Sequence, residues 1–78
     1  MEVEQAFGKI LRKIRMENSL SQEELAYICG LDRTYISLME RGKRKPTINT
    51  IFELAKGLDE RPSDLISLTE ELFNLNVD

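Results

Sequence analysis

The side chains able to do chemistry in this sequence are cations, hydroxyls and amides, and their pattern suits holding an anion rather than breaking a bond. The 78 residues contain no histidine and a single cysteine, Cys29. That removes the commonest general base, the usual zinc ligand and the partner of most nucleophilic serines and cysteines. A lone cysteine also excludes an intrachain disulfide and a cysteine-built metal cage. Cys29 reads as a small core thiol, with a redox sensor as the remote alternative. Carboxylates are plentiful, yet they fall at helix starts and exposed positions rather than in a facing pair. No enzyme is expected, and no metal, cofactor or small-molecule ligand.

The cations are segregated. Net charge is −3, which taken alone argues against a polyanionic partner. Lys9, Arg12, Lys13 and Arg15 follow one another with no acid between them. Arg33, Arg41, Lys43, Arg44 and Lys45 face only Glu40 within their stretch. From Asp59 onward the balance reverses, with Asp59, Glu60, Asp64, Glu70, Glu71 and Asp78 against Arg61. A basic band between acidic ends can bind phosphates locally and repel them elsewhere.

Elements must carry that band, and their periodicity is helical throughout. The length suits one domain, and apolar residues at 41% with charged residues at 32% suit a folded, soluble one. No run approaches the ~20 apolar residues of a membrane span. The opening Met1-Glu2-Val3-Glu4 is acidic where a signal peptide is basic, so a cytoplasmic location is expected. Five helical segments are predicted, and the fold class is all-α. The first, from about Val3 to Asn18, turns Phe7, Ile10, Leu11 and Ile14 to one face. Ser21-Gln22-Glu23-Glu24 reads as a capping box that opens a second helix. Leu25, Ala26 and Ile28 form its inward face, Tyr27 packs part-exposed, and Gly30 ends it. Asp32 caps a third helix reaching about Arg41, with Ile36, Met39 and Glu40 inward and Arg33, Thr34, Ser37 and Leu38 on other faces. A basic loop, Lys43-Arg44-Lys45-Pro46, precedes a fourth helix capped by Thr47 or Asn49, with Ile51, Leu54, Ala55 and Leu58 inward. Pro62 lies in the first turn of a fifth that holds Leu65, Ile66 and Leu68, followed by a ragged extension with Leu72, Phe73 and Leu75.

Two short helices with a tight turn between Ser21 and Arg41 are the geometry in which the second helix can enter a major groove while the first crosses the backbone. Here the residues become recognisable. Ser21-Gln22-Glu23-Glu24-Leu25-Ala26, Gly30-Leu31, Tyr35-Ile36-Ser37 and Glu40-Arg41-Gly42 resemble the Cro/phage-repressor (XRE-like) helix-turn-helix family. The likeness continues through Pro46-Thr47, Leu54-Ala55 and Pro62-Ser63-Asp64-Leu65, so it covers most of the chain. Leu31-Asp32-Arg33-Thr34-Tyr35-Ile36-Ser37, with the small size, looks particularly like the controller proteins of restriction–modification systems. The resemblance implies a compact five-helix, lambda-repressor-like domain that binds double-stranded DNA and regulates transcription.

Residue by residue, Arg33 at the exposed start of the third helix can bond bidentately to guanine O6 and N7. Thr34 and Ser37 are short donors and acceptors beside it, and Leu38 offers only apolar contact, unlike the more polar residues at that position in relatives. Gln22, Tyr35, Lys43, Arg44 and Lys45 are the expected phosphate contacts. Tyr35 is balanced between that role and packing on its helix, whereas Lys9, Arg12 and Lys13 read as a solvated face. Arg15 and Glu40 match a family ion pair that ties the first helix to the third, and its expected role is structural.

A core this small gains from association. The C-terminal part, about 62–78, is expected to contribute to a two-fold homodimer seam formed by Ile51, Leu65, Leu68, Leu72 and Phe73. Two such motifs present recognition helices about 34 Å apart, which predicts a pseudo-palindromic operator. The controller resemblance further implies activation as well as repression, hence a surface for RNA polymerase, assigned to Glu23 or Glu24. Two other readings stand beside this one: an antitoxin or phage-type repressor, and a protein–protein interaction module that keeps the fold without reading DNA.

Overall fold

Local hydrogen bonds mark the starts of the helices and the stops of the first four. The computed structural model describes residues 1–75 and contains α1 (Val3–Glu17), α2 (Gln22–Cys29), α3 (Arg33–Glu40), α4 (Ile48–Gly57) and α5 (Pro62–Leu75), with no strand among the described residues. Three starts are capped by side chains. Ser21 Oγ accepts from the Glu24 N–H at 3.0 Å while the Glu24 carboxylate accepts from the Ser21 N–H at 2.8 Å. The bond from the Ser21 backbone N–H foremost, and then the Ser21 hydroxyl, hold the Glu24 carboxyl below its ordinary range. Asp32 accepts from the Thr34 N–H at 2.8 Å, and Thr47 rather than Asn49 caps α4 through the Thr50 N–H at 3.1 Å.

Four ends share one device. The residues after α1, α2, α3 and α4 include one left-handed residue each: Ser19 at φ 57°, Gly30 at 68°, Gly42 at 71° and Asp59 at 56°. The N–H that follows each reaches a carbonyl five residues back: Leu20 to Arg15, Leu31 to Ala26, Lys43 to Leu38 and Glu60 to Ala55, at 2.8–3.1 Å. These are the bonds of a Schellman close, and they satisfy carbonyls the helix leaves open. Glycine serves at Gly30 because a side chain there would be strained.

The helices bury one shared core. Phe7, Ile10, Leu11 and Ile14 of α1 meet Leu25, Ala26 and Cys29 of α2, Ile36 and Met39 of α3, Leu54, Ala55 and Leu58, and Leu65 of α5. α1 lies against α5 and α3, α2 against α3 and α4, and α4 against α5. At the α1–α3 crossing the approach is so close that a Cβ on Gly8 would fall on the Met39 carbonyl oxygen and 2.8 Å from that of Glu40.

Several expectations are corrected. Ile28 is half exposed, and Cys29 takes its inward place because α2 turns that edge toward α4, where Gly57 leaves room for the sulfur. Burial raises the Cys29 thiol above its ordinary range, with the nearby Glu53 carboxylate adding to the effect. Tyr27 is 88% exposed rather than packed. The ragged extension is ordered: α5 runs unbroken from Pro62 to Leu75. Of the expected seam, Leu65 is wholly inside the monomer and Leu68 and Leu72 pack on the core, so α5 spends that face on its own fold.

Candidate nucleic-acid interface

α3 is set on the surface by its two fully buried residues, Ile36 and Met39. Successive residues of a helix are rotated by about 100°, so the opposite face carries Arg33, Thr34, Ser37, Leu38 and Arg41. Arg33, Thr34 and Arg41 are exposed, and Ser37 and Leu38 are half-buried. The expected base-contacting residues therefore do share one open face. Asp32, by capping the Thr34 N–H, ends the turn and leaves Arg33 at the exposed helix start.

One flank of α3 is held by charge. Arg15 Nε donates to Glu40 Oε2 at 2.6 Å and a second guanidinium nitrogen donates to Oε1 at 3.0 Å. The side chains are only 11% and 3% exposed. Arg15 also donates to the Leu20 carbonyl at 2.8 Å, and its bond to Glu40 raises the guanidinium above its ordinary range. The Gln22 amide donates to Glu40 Oε1 at 3.0 Å, which joins the start of α2 to the same carboxylate. An amide nitrogen carries two hydrogens, so Gln22 keeps one for another acceptor.

The other flank is aromatic. The Tyr35 hydroxyl donates to Thr50 Oγ1 at 3.3 Å, and the Arg44 guanidinium lies 5.2 Å from the centre of the Tyr35 ring. The hydroxyl is thus turned toward α4. Lys43, Arg44 and Lys45 are exposed in the loop beyond α3.

Arg12, expected on a solvated face, is exposed there. It lines a crevice with Arg15, Gln22, Ser37, Glu40 and Arg41, at the junction of α1, the start of α2 and the open face of α3. Three residues apart on one helix, Arg12 and Arg15 lie on neighbouring positions of the same face. Ile48, Phe52 and Ile66 are exposed apolar residues, and with Ile51 and Pro62 they border a groove between α4 and α5.

Known proteins share this arrangement. A family model described as Helix-turn-helix matches residues 11–65. Control protein C.BamHI of Bacillus amyloliquefaciens is 45% identical over 81% of this chain and 79% of its own length. The restriction–modification controller C.AhdI of Aeromonas hydrophila superposes with a TM-score of 0.78 at 44% identity, over 80% of this chain and 94% of that one. The controller C.Esp1396I, solved as a tetramer with its natural 35 base-pair operator, superposes at 0.83 with 33% identity, over 92% and 95% of the two chains. These are DNA-binding regulators rather than enzymes. With its two-helix motif, its open α3 face and these relatives, the chain belongs to the helix-turn-helix family of transcriptional regulators that includes the restriction–modification control proteins.

Proposed function

We propose that this chain binds a pseudo-palindromic operator as a homodimer and controls a restriction–modification promoter. The observation that carries the reading is the open face of α3, where Arg33, Thr34, Ser37 and Arg41 stand together above a fully buried Ile36 and Met39. A helix seated this way can lie in a major groove with its polar face against the base edges. Arg33 takes a guanine through O6 and N7, Thr34 and Ser37 take neighbouring bases, and Leu38 lies against a thymine methyl. Gln22, Lys43, Arg44 and Lys45 hold phosphates on either side, joined by Arg12 and Arg41 in their crevice. The acidic remainder of the molecule turns this face toward DNA and the others away from it.

The second copy sits on α4 and α5. Ile48 is 72%, Phe52 58% and Ile66 48% exposed. Three large apolar side chains left in water on adjoining helices are what a two-fold partner would cover. Ile51 stays in this seam, and Phe73, seven residues from Ile66 on the same helix face, extends it; residues 76–78 lie outside the described ones. For activation, RNA polymerase is assigned to the outer side of α2, where Glu23 and Glu24 are exposed next to Tyr27 and Ile28. The protein works in the cytoplasm, with its operator.

Selection of bound sequences from a random duplex library, followed by affinity against salt, tests the reading. The expected product is a pseudo-palindrome with half-sites about one turn apart, bound more weakly as salt rises. No enrichment above background would overturn it. On the selected site, Lys45→Ala weakens all sequences alike and lowers the salt slope by about 1.

A further inference from the structure

One carboxylate oxygen of Glu40 serves two partners. Oε1 accepts from an Arg15 guanidinium nitrogen and from the Gln22 amide, both at 3.0 Å, while Oε2 accepts from Arg15 Nε. An ionised carboxylate accepts and cannot donate, so the Gln22 amide turns its nitrogen, not its oxygen, toward Glu40. The second N–H on that nitrogen is thereby fixed in direction. Gln22 is half-buried at the first residue of α2 and lines the crevice with Ser37 and two exposed cations, Arg12 and Arg41. The one acid lining that crevice is Glu40, whose charge is already matched by Arg15. What remains is a setting of donors and positive charge, suited to an anion. A free glutamine has much rotamer freedom to lose on binding, and one already held at its nitrogen loses less.

We propose that Glu40 acts on DNA through Gln22: it is a positioning residue that, from inside the ion pair, aims the Gln22 amide N–H at the phosphate drawn in by Arg12 and Arg41. The proposal rests on the DNA-binding reading of the same face. Seating α3 is a task that two apolar side chains of similar volume can take over from a buried ion pair. Holding an amide nitrogen is not, because an apolar group accepts no hydrogen bond. The carboxylate therefore ties the seat of the base-reading helix to the aim of a backbone contact at the start of α2.

A mutant cycle on the full chain and its selected operator separates the two tasks. In the parent, Gln22→Ala weakens binding about two- to tenfold per half-site, the size of one net hydrogen bond. In the double replacement Arg15→Met with Glu40→Met, which keeps much of the pair's volume without its charges, Gln22→Ala has no further effect. Circular dichroism confirms that each variant is folded. Nitrogen-15 relaxation of the Gln22 side-chain amide in the parent without DNA is a second readout, and the amide is expected to be as ordered as the α2 backbone. Should the double replacement unfold, that measurement and the Gln22→Ala loss in the parent carry the test. Equal losses from Gln22→Ala in both backgrounds, no loss from it in a parent that binds its operator, or an amide as mobile as a free side chain would each overturn the proposal. Failure of the parent chain to bind any duplex is a different result, which removes the DNA-binding reading and the proposal with it.

Discussion

On one flank of α3, Glu40 accepts from both Arg15 and Gln22 in a setting that leaves its side chain 3% exposed; on the other, Tyr35 spans from a buried threonine to an arginine in solvent. The two flanks hold the same eight-residue helix by unlike means. A buried ion pair is hard to disturb, because removing one partner leaves the other charged and dry. A neutral hydroxyl bond and a ring under a cation are weaker, and either can be lost without stranding a charge. The ionic flank therefore fixes where the helix sits, and the aromatic flank ties it to α4.

The largest expected break is on the ionic flank. Glu40→Ala should cost about 3–5 kcal/mol, since Arg15 is left without its carboxylate. Urea unfolding measures it, and a loss below 1 kcal/mol would mean water has replaced the missing partner at little cost. Next is Gly8→Ala, which forces apart the α1–α3 crossing that the ion pair spans. About 1–3 kcal/mol is expected from overpacking, and an unchanged melting temperature would show that α1 can shift freely.

Tyr35→Phe comes third, with about 0.5–1.5 kcal/mol of stability lost as its hydroxyl bond goes. A cost matching that of Glu40→Ala would erase the distinction between the flanks. The smallest effect is a pH response that belongs to neither. Cys29 has its thiol raised by burial, so the neutral form is favoured by folding. Its contribution is fully present below the ordinary thiol range and is lost as pH rises through the folded value. Stability should therefore fall at alkaline pH in the parent and fall less in Cys29→Ala. Identical alkaline profiles would assign the fall to other groups.

Legibility followed the range of the interaction. The capping residues Ser21, Asp32 and Thr47 were readable because a cap reaches only two or three residues along the chain. The inward faces of α1 and α3 were readable because a helix repeats its side every three or four residues. Arg15 and Glu40, far apart in sequence, were legible through family resemblance, which carries contacts that spacing cannot. Cys29 and Ile28 were harder: neighbours on a short helix exchange places when the helix rotates slightly, and that rotation is set by α4.

What the sequence determined by itself is the set of five helices, the ends of the first three, the segregation of cations and the polar face of α3, all of which follow from residues within a turn or two of one another. Tertiary structure decided which apolar residues were surplus and where Tyr35 would point. Leu65, Leu68 and Leu72 look like Ile66 in composition, yet α5 packs three of them inward and leaves Ile66 in water beside Ile48 and Phe52. Tyr35 had two partners available to its hydroxyl, and the approach of α4 put Thr50 within reach. In both cases the outcome depends on how helices distant in sequence come together, because burial and long-range hydrogen bonds are properties of the assembled surfaces rather than of any one segment.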